Sequence, residues 1–178
     1  PDKDIPAPDV YTNAEVMGWM MDTFSRLNGV STPSVITGKP LILGGSEGRN
    51  EATARGCVYA IIEAMKDLNK PLEQATVAIQ GYGNAGRIAG ELLHELGCNI
   101  VAVGDSQGAV YDPNGLDLVR LGQIKDTGSV VNYPAPHALT CEELLKLNVD
   151  VLIPAALENC ITSENAAEIQ ANIIAEAA

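Results

Sequence analysis

The segment TVAIQGYGNAG, residues 76–86, joins a short apolar run to a glycine-rich turn. Residues 76–80 predict a buried strand, because a short run of β-branched and apolar residues bounded by turn residues is typical of one. Gly81, Gly83 and Gly86 follow the spacing GxGxxG, and the residues after them have the apolar spacing of a helix. A strand, a tight glycine turn and a helix in this order are typical of a site that binds phosphate.

Strands and helices alternate along the rest of the chain. Further strands are predicted at residues 100–103, 151–153 and 173–175. Two helices are predicted before the glycine turn, one from a capping box at 12–15 to Gly29 and one over 51–68. Three more are predicted after it: one from the glycine turn at 81–86, called the cradle below, to Gly97, one from a capping box at 140–143, and one after Thr162 or Ser163. We therefore predict an α/β fold: a Rossmann-type doubly wound, mostly parallel sheet with helices on both faces, preceded by N-terminal helices.

The domain organisation follows from the same pattern. Residues 1–178 are predicted to form a single NAD(P)-binding domain, in which 1–70 are a helical lead-in with a glycine-rich loop and 71–178 are the Rossmann core. Within the lead-in, Met17, Trp19, Met20 and Phe24 are predicted to be core residues, because they recur at roughly helical spacing.

The glycine turn predicts which residues would contact a dinucleotide. Gly81 permits the tight turn, Gly83 leaves room for the pyrophosphate, and Gly86 lets helix and strand pack closely. The remaining turn residues of the predicted cofactor-binding set are Tyr82, Asn84 and Ala85.

Asp105 follows the next predicted strand, where an acidic residue accepts hydrogen bonds from the adenosine ribose. A carboxylate there favours NAD over NADP, because it repels a 2′-phosphate. Ser106 and Gln107 offer polar contacts that would hold a phosphate instead, so the cofactor is NAD or NADP with a preference for NAD. A turn-capping role is the alternative for Asp105.

Composition excludes several classes of partner. The chain has 23 acidic and 11 basic residues and a formal net charge of −12, which repels nucleic acid and anionic lipid. Four scattered cysteines without CxxC spacing predict reduced thiols in a cytoplasmic protein, with a metal or disulfide site as the alternative. His94 and His137 are isolated, and no metal site is predicted.

Residues 44–56, GGSEGRNEATARG, closely resemble a loop of the glutamate dehydrogenase family, which includes the leucine, phenylalanine and valine dehydrogenases. Three further segments are similar to segments of that family: PAPDVYTN at 6–13, QGYGNAG at 80–86 and PAALEN at 154–159. The resemblance covers essentially the whole chain. The residues of the loop at 44–56 resemble those of the glutamate dehydrogenases more than those of the leucine, phenylalanine and valine dehydrogenases.

The resemblance implies roles for particular residues. Thr53 would bind the nicotinamide carboxamide, while Ala155, Ala156 and Asn159 would line the nicotinamide and its ribose. Arg49 would lie near the substrate carboxylates. Asp9 matches the family's catalytic aspartate, which works with a lysine in proton transfer.

Each of these implied roles has a structural alternative. Arg49 and Arg55 are also suited to anchoring the loop through ion pairs or carbonyl contacts. Asp9 is also suited to a turn or helix start, and Thr53 to a capping or packing hydroxyl.

The resemblance also implies the activity of the longer protein, here called the parent protein, of which we expect this chain to be a part. We expect reversible NAD(P)-dependent oxidative deamination of L-glutamate to 2-oxoglutarate and ammonia, in a homo-hexamer whose sheet has one antiparallel strand. The family's substrate domain and its lysines are absent from these residues, so we expect the chain alone to be inactive and monomeric. The alternatives are a leucine- or phenylalanine-type dehydrogenase and a non-catalytic nucleotide-sensing module.

Overall fold

The computed structural model describes residues 1–178, which divide into two compact units, Pro1–Ala52 and Thr53–Ala178. No helix of the protein combines the length and the apolar character that crossing a membrane requires.

The first unit contains one long helix, α1 (Ala14–Asn28), followed by 3₁₀ turns at Pro33–Val35 and Leu41–Leu43. The Asn13 side chain accepts a hydrogen bond from the Val16 N–H and caps the helix, whereas Thr12 binds Asp9 instead. At the other end, Gly29 adopts the left-handed conformation that commonly ends helices (φ 71°). The predicted stop at Gly29 is thus confirmed, and the N-cap is Asn13, one residue after Thr12, at which the predicted capping box began.

The apolar face of α1 includes residues that the core of this unit does not cover. Met17 packs with Val35 and Ile36 and is buried. Trp19 and Phe24, in contrast, are 61% and 36% exposed, and Met20 is also exposed. The prediction that all four residues are core is therefore wrong for three of them, because periodicity identifies an apolar face but not what covers it.

The second unit contains a six-stranded sheet in the order β4-β3-β2-β1-β5-β6. Its strands are β1 (Thr76–Gln80), β2 (Asn99–Asp105), β3 (Gly108–Tyr111), β4 (His137–Leu139), β5 (Val151–Pro154) and β6 (Ile173–Ile174). β3 is antiparallel to both of its neighbours, and every other pairing is parallel. This confirms the mostly parallel α/β sheet and the single reversed strand.

Four helices belong to this unit: α2 (Ala52–Asp67), α3 (Asn84–Glu95), α4 (Leu118–Thr127) and α5 (Cys141–Leu145). One core cluster joins apolar residues of α2, α3 and α4 to β1, and a second joins α5 to other side chains of the same sheet. Both faces are therefore covered, as predicted. Helix α2 packs in this core through Val58, Ile61 and Met65, although the sequence assigned it to the lead-in.

Central strand β1 reads as an uninterrupted apolar run because both of its faces are buried. Val77, Ala78 and Ile79 have no exposed surface. Parallel strands covered on two faces show this pattern instead of alternation.

Two parts of the secondary structure differ from the prediction. The expected helix after Thr162 is only a 3₁₀ turn at Ala166–Glu168. Just before this turn, the Asn165 side chain accepts a hydrogen bond from the Thr162 N–H and donates one to the Cys160 carbonyl. Elements β3, β4 and α4 were not predicted. The two strands are only three or four residues long, and α4 buries only Leu118, Leu121 and Gly122.

Candidate functional site

The carboxyl ends of β2, β1 and β5 meet at one edge of the sheet. β1 lies between the other two strands and runs parallel to both. The chain passes from β1 to β2 on one side and returns through β5 on the other, which creates the crevice where α/β sheets bind ligands. A cavity of about 400 Å³ lies here, lined by Gln80, Gly81, Tyr82, Gly83, Asp105, Ser106, Lys125, Cys141, Ala155, Ala156 and Leu157.

The turn after β1 requires glycine at two positions. Gly81 has φ +99°, and a Cβ there would lie 2.7 Å from the Ala155 carbonyl carbon and from the Ala156 nitrogen. A Cβ on Gly86 would overlap the carbonyl oxygen of Gly81. These two glycines therefore let the turn pass close to the segment after β5 and let α3 pack against the end of β1.

Gly83 differs from its neighbours, because a Cβ built there would meet nothing within 4 Å. Gly83 is the N-cap of α3, and no side chain caps this helix. The N-terminus of a helix carries a partial positive charge and N–H groups that can bind anions. The space in front of Gly83 is thus open, and the protein's own fold gives no reason for glycine at this position.

Asp105 is nearly buried at the end of β2, and its carboxylate accepts four hydrogen bonds from the protein. Oδ1 accepts from the Gln107 N–H at 2.9 Å and from Ser129 Oγ at 2.8 Å. Oδ2 accepts from Lys125 Nζ at 2.7 Å and from the Val130 N–H at 3.0 Å. The bond to Gln107 is the turn-capping contact named as the alternative role.

These contacts also determine the charge of Asp105. Burial disfavours the carboxylate, but the hydrogen bonds from Lys125 and from the Gln107 and Val130 N–H groups outweigh burial and lower the pKa of Asp105 from 3.8 to about 2. The group is therefore ionised at neutral pH and paired with the ammonium of Lys125.

Of the other predicted cofactor residues, Ser106, Ala155 and Ala156 line the cavity. The Ala155 N–H donates to the Gln80 carbonyl at 2.7 Å, which holds the segment after β5 against the turn. Asn84 and Ala85 form the first turn of α3. Asn159 is an exposed residue with φ 63°, and it does not line the cavity.

The residues assigned by resemblance lie in both units. Thr53 is exposed in the first turn of α2 and does not line the cavity. Within the first unit, Arg49 is partly buried in the glycine-rich loop. Asp9 forms a turn, in which its carbonyl accepts from the Thr12 N–H at 3.0 Å and its carboxylate from the Val10 N–H at 2.8 Å.

The sequence interpretation missed four residues that line the cavity: Gln80, Lys125, Cys141 and Leu157. Gln80 was predicted only as the last residue of a strand. Lys125 belongs to α4, which had no clear apolar pattern, so no sequence signal connected it to Asp105. Cys141 Sγ contacts the Asp105 carbonyl at 3.0 Å. The four cysteines are free thiols, and no three His, Cys, Asp or Glu residues are arranged to hold a metal ion.

The fold and the glycine cradle together define a Rossmann-type α/β domain. Residues 44–178 match the family model described as Glutamate/Leucine/Phenylalanine/Valine dehydrogenase, and residues 1–26 match the dimerisation domain of the same family. The chain belongs to this Glu/Leu/Phe/Val dehydrogenase family.

Curated relatives match over the whole chain. A catabolic NAD-specific glutamate dehydrogenase of Bacillus subtilis strain 168 is 47% identical over 178 residues, and an NAD-specific glutamate dehydrogenase of Staphylococcus aureus strain COL is 48% identical. These matches cover 100% of this chain but 42% and 43% of the relatives. The chain thus spans less than half the length of the relatives that it matches.

Solved structures agree with this family. A hetero-hexameric glutamate dehydrogenase from Thermus thermophilus, in a Leu-bound form, superposes with a TM-score of 0.89 at 36% identity and covers 99% of this chain and 42% of that one. A glutamate dehydrogenase of Plasmodium falciparum gives 0.85 at 27% identity, covering 98% of this chain and 40% of that one.

Proposed function

We propose that this chain is the dinucleotide-binding part of an NAD-dependent glutamate dehydrogenase. The observation that carries the proposal is the open space in front of Gly83 at an uncapped helix N-terminus, which fits a diphosphate. The curated relatives named above are NAD-specific glutamate dehydrogenases, which supports both the cofactor and the amino acid.

The protein's own residues would bind and orient the cofactor. The turn Gly81–Gly86 and the first turn of α3 would hold the diphosphate, and Ala155 and Ala156 would lie beside it across the cavity. We propose the nicotinamide contacts for Thr53 and Asn159, as the family resemblance implies. When bound, the dinucleotide would accept hydride from the α-carbon of the amino acid.

The substrate roles remain proposals for the parent protein. Arg49 would attract the substrate carboxylates, and Asp9 would exchange a proton during imine hydrolysis. The parent reaction would be oxidative deamination of L-glutamate to 2-oxoglutarate and ammonia. A cytoplasmic hexamer is the proposed assembly, with support from the hetero-hexameric relative of Thermus thermophilus.

The cradle is tested by Gly83→Ala in a titration of the chain with NADH. The added methyl group has free space in the fold but would occupy the position of the diphosphate, so we expect affinity to fall by roughly tenfold or more while stability is retained. Gly56→Ala is the matched control, because a Cβ there also meets nothing within 4 Å and Gly56 does not line the cavity. Equal NADH affinities of the two variants would refute the cradle.

The identity of the substrate is tested by assaying the parent protein with different amino acids. We expect NAD-dependent oxidation of L-glutamate to exceed that of leucine and phenylalanine, while the 178-residue chain alone shows no turnover. The family description also includes leucine and phenylalanine dehydrogenases, so a preference of the parent for either amino acid would replace glutamate as the substrate.

A further inference from the structure

An arginine side chain bridges α3 and α4, the two helices beside the cavity. Arg87 is the fourth residue of α3, just after the cradle, and Asp126 lies near the end of α4. Arg87 Nη1 donates to Asp126 Oδ1 at 2.6 Å, and Arg87 Nε donates to Glu91 Oε1 on its own helix at 3.1 Å. These hydrogen bonds, the one to Asp126 first, raise the pKa of Arg87 above its usual range. The guanidinium thus binds one carboxylate on each helix.

The guanidinium also lies directly against the backbone of α4. A Cβ built on Gly122 would lie 2.7 Å from Arg87 Nη2 and 3.1 Å from Arg87 Cζ. Glycine at this buried position therefore lets the arginine cross α4 at close range and reach Asp126, one turn further along. Glycine is unfavourable inside a helix, so its place in α4 is explained by the side chain that crosses it.

Both helices of this bridge border the cavity. Helix α3 begins at Gly83, which lines the cavity, and Lys125, the residue before Asp126, lines the cavity from α4. Elsewhere the two helices share one cluster of apolar side chains. Apolar contacts are non-directional, whereas a charged hydrogen bond favours one relative position of its partners. The bond between Arg87 and Asp126 is therefore suited to fixing how far α4 lies from the cradle.

We propose that Arg87 is a positioning residue for the dinucleotide: through Asp126 it holds α4 at the distance from the cradle that a ligand extending across the cavity requires. The inference rests on the proposed function, because it requires the diphosphate to lie at the cradle. It concerns the spacing of two walls and not a contact with the ligand, since neither Arg87 nor Asp126 lines the cavity. A ligand that occupies the cradle alone is therefore insensitive to the bridge.

Titrations of the 178-residue chain with NADH and with inorganic pyrophosphate test the proposal. NADH extends well beyond its diphosphate, whereas pyrophosphate occupies the cradle alone. Partly exposed ion pairs are weak, so we expect Arg87→Ala and Asp126→Asn each to lower the affinity for NADH by roughly three- to fivefold. The affinity for pyrophosphate stays the same. The double variant binds NADH no more weakly than either single variant, because both changes remove one bond.

Glu91→Gln is the matched control. It removes the carboxylate that Arg87 binds on α3 and leaves the bond from Arg87 to Asp126 on α4 in place. We expect the affinities for NADH and for pyrophosphate to be those of the wild type. A loss of NADH affinity as large as that of Asp126→Asn would refute a specific role for the bridge between the helices.

Gly122→Ala separates positioning from a merely structural role. The variant keeps every charge, but its Cβ forces the flexible guanidinium of Arg87 away from α4. Alanine also favours the helix, so we expect a melting temperature equal to or above that of the wild type, together with the loss of NADH affinity seen in Arg87→Ala. A merely structural bridge would leave NADH affinity unchanged. This variant keeps the test decisive if Arg87→Ala does not fold.

The outcomes distinguish this inference from the proposed function. If the wild type binds NADH and Arg87→Ala, Asp126→Asn and Gly122→Ala bind it equally well, the positioning role is refuted and the cradle survives. If these changes weaken pyrophosphate as much as NADH, Arg87 acts on the cradle itself and the spacing role is refuted. If the wild type binds neither ligand, the proposed function fails and this inference fails with it.

Discussion

Tyr82 shows how a single hydroxyl group can cost stability. Its side chain is 2% exposed, and its hydroxyl has no hydrogen-bond partner. Burial, together with the charge of Glu91, raises the pKa of Tyr82 to about 12. A buried polar group without a partner loses its hydration without compensation.

We therefore expect Tyr82→Phe to increase the free energy of unfolding by about 1 kcal/mol, because it removes the unpaired hydroxyl and keeps the ring. Tyr133→Phe is the control, since the Tyr133 hydroxyl accepts a hydrogen bond from the Asp117 N–H at 3.1 Å. That change should lower stability. Urea denaturation measures both variants, and destabilisation by Tyr82→Phe would contradict the prediction.

The second prediction at this scale concerns pH. The pKa of Asp105 is lowered from 3.8 to about 2 in the folded protein, so its ionisation contributes stability above pH 4 that is lost as pH falls toward 2. The contribution is about 2 kcal/mol. We expect the stability difference between the wild type and Asp105→Asn to shrink from pH 5 to pH 2. A difference that stays constant over this range would show that Asp105 does not titrate as described.

At the scale of elements, the joint between β1 and α3 depends on Gly86. A Cβ there would overlap the Gly81 carbonyl and lie 3.1 Å from Ile79 Cγ2, so helix and strand would have to separate. We expect Gly86→Ala to lower stability by about 2 kcal/mol, measured by thermal denaturation. Gly83→Ala, only three residues away in the sequence, should lose little stability, because a Cβ there meets nothing within 4 Å. Similar losses in both variants would mean that the packing at Gly86 is not specific.

Elements also differed in how well they could be predicted. The capping box at Thr140 was predicted, and both of its hydrogen bonds with Glu143 are present. Strand β1 and helix α3 were predicted because their apolar residues are continuous or periodic. Strand β4 and helix α4 were not, since their stability comes from β3 and the neighbouring core and not from their own composition.

At the scale of the whole molecule, the two units differ in their cores. The buried clusters around the sheet lie entirely within residues 54–177. The core cluster of the first unit has three buried residues, Met17, Val35 and Ile36. A chain of about 50 residues with so small a core lacks the burial that independent folding requires.

We expect residues 53–178 expressed alone to unfold cooperatively, and residues 1–52 alone to show no cooperative transition. Circular dichroism during thermal denaturation measures both pieces. Non-cooperative melting of residues 53–178 would show that the sheet needs the first unit in order to fold.

The local sequence determined the strand–turn–helix unit at 76–86, the mostly parallel α/β fold and the family, because each depends on residue spacing along a continuous segment. Tertiary structure alone decided which face of α1 stays exposed and what surrounds Asp105. Lys125, Ser129 and Val130 reach that carboxylate from 20 or more residues away. A carboxylate binds whichever donors the fold brings within 3 Å, and no local pattern of residues specifies that distance.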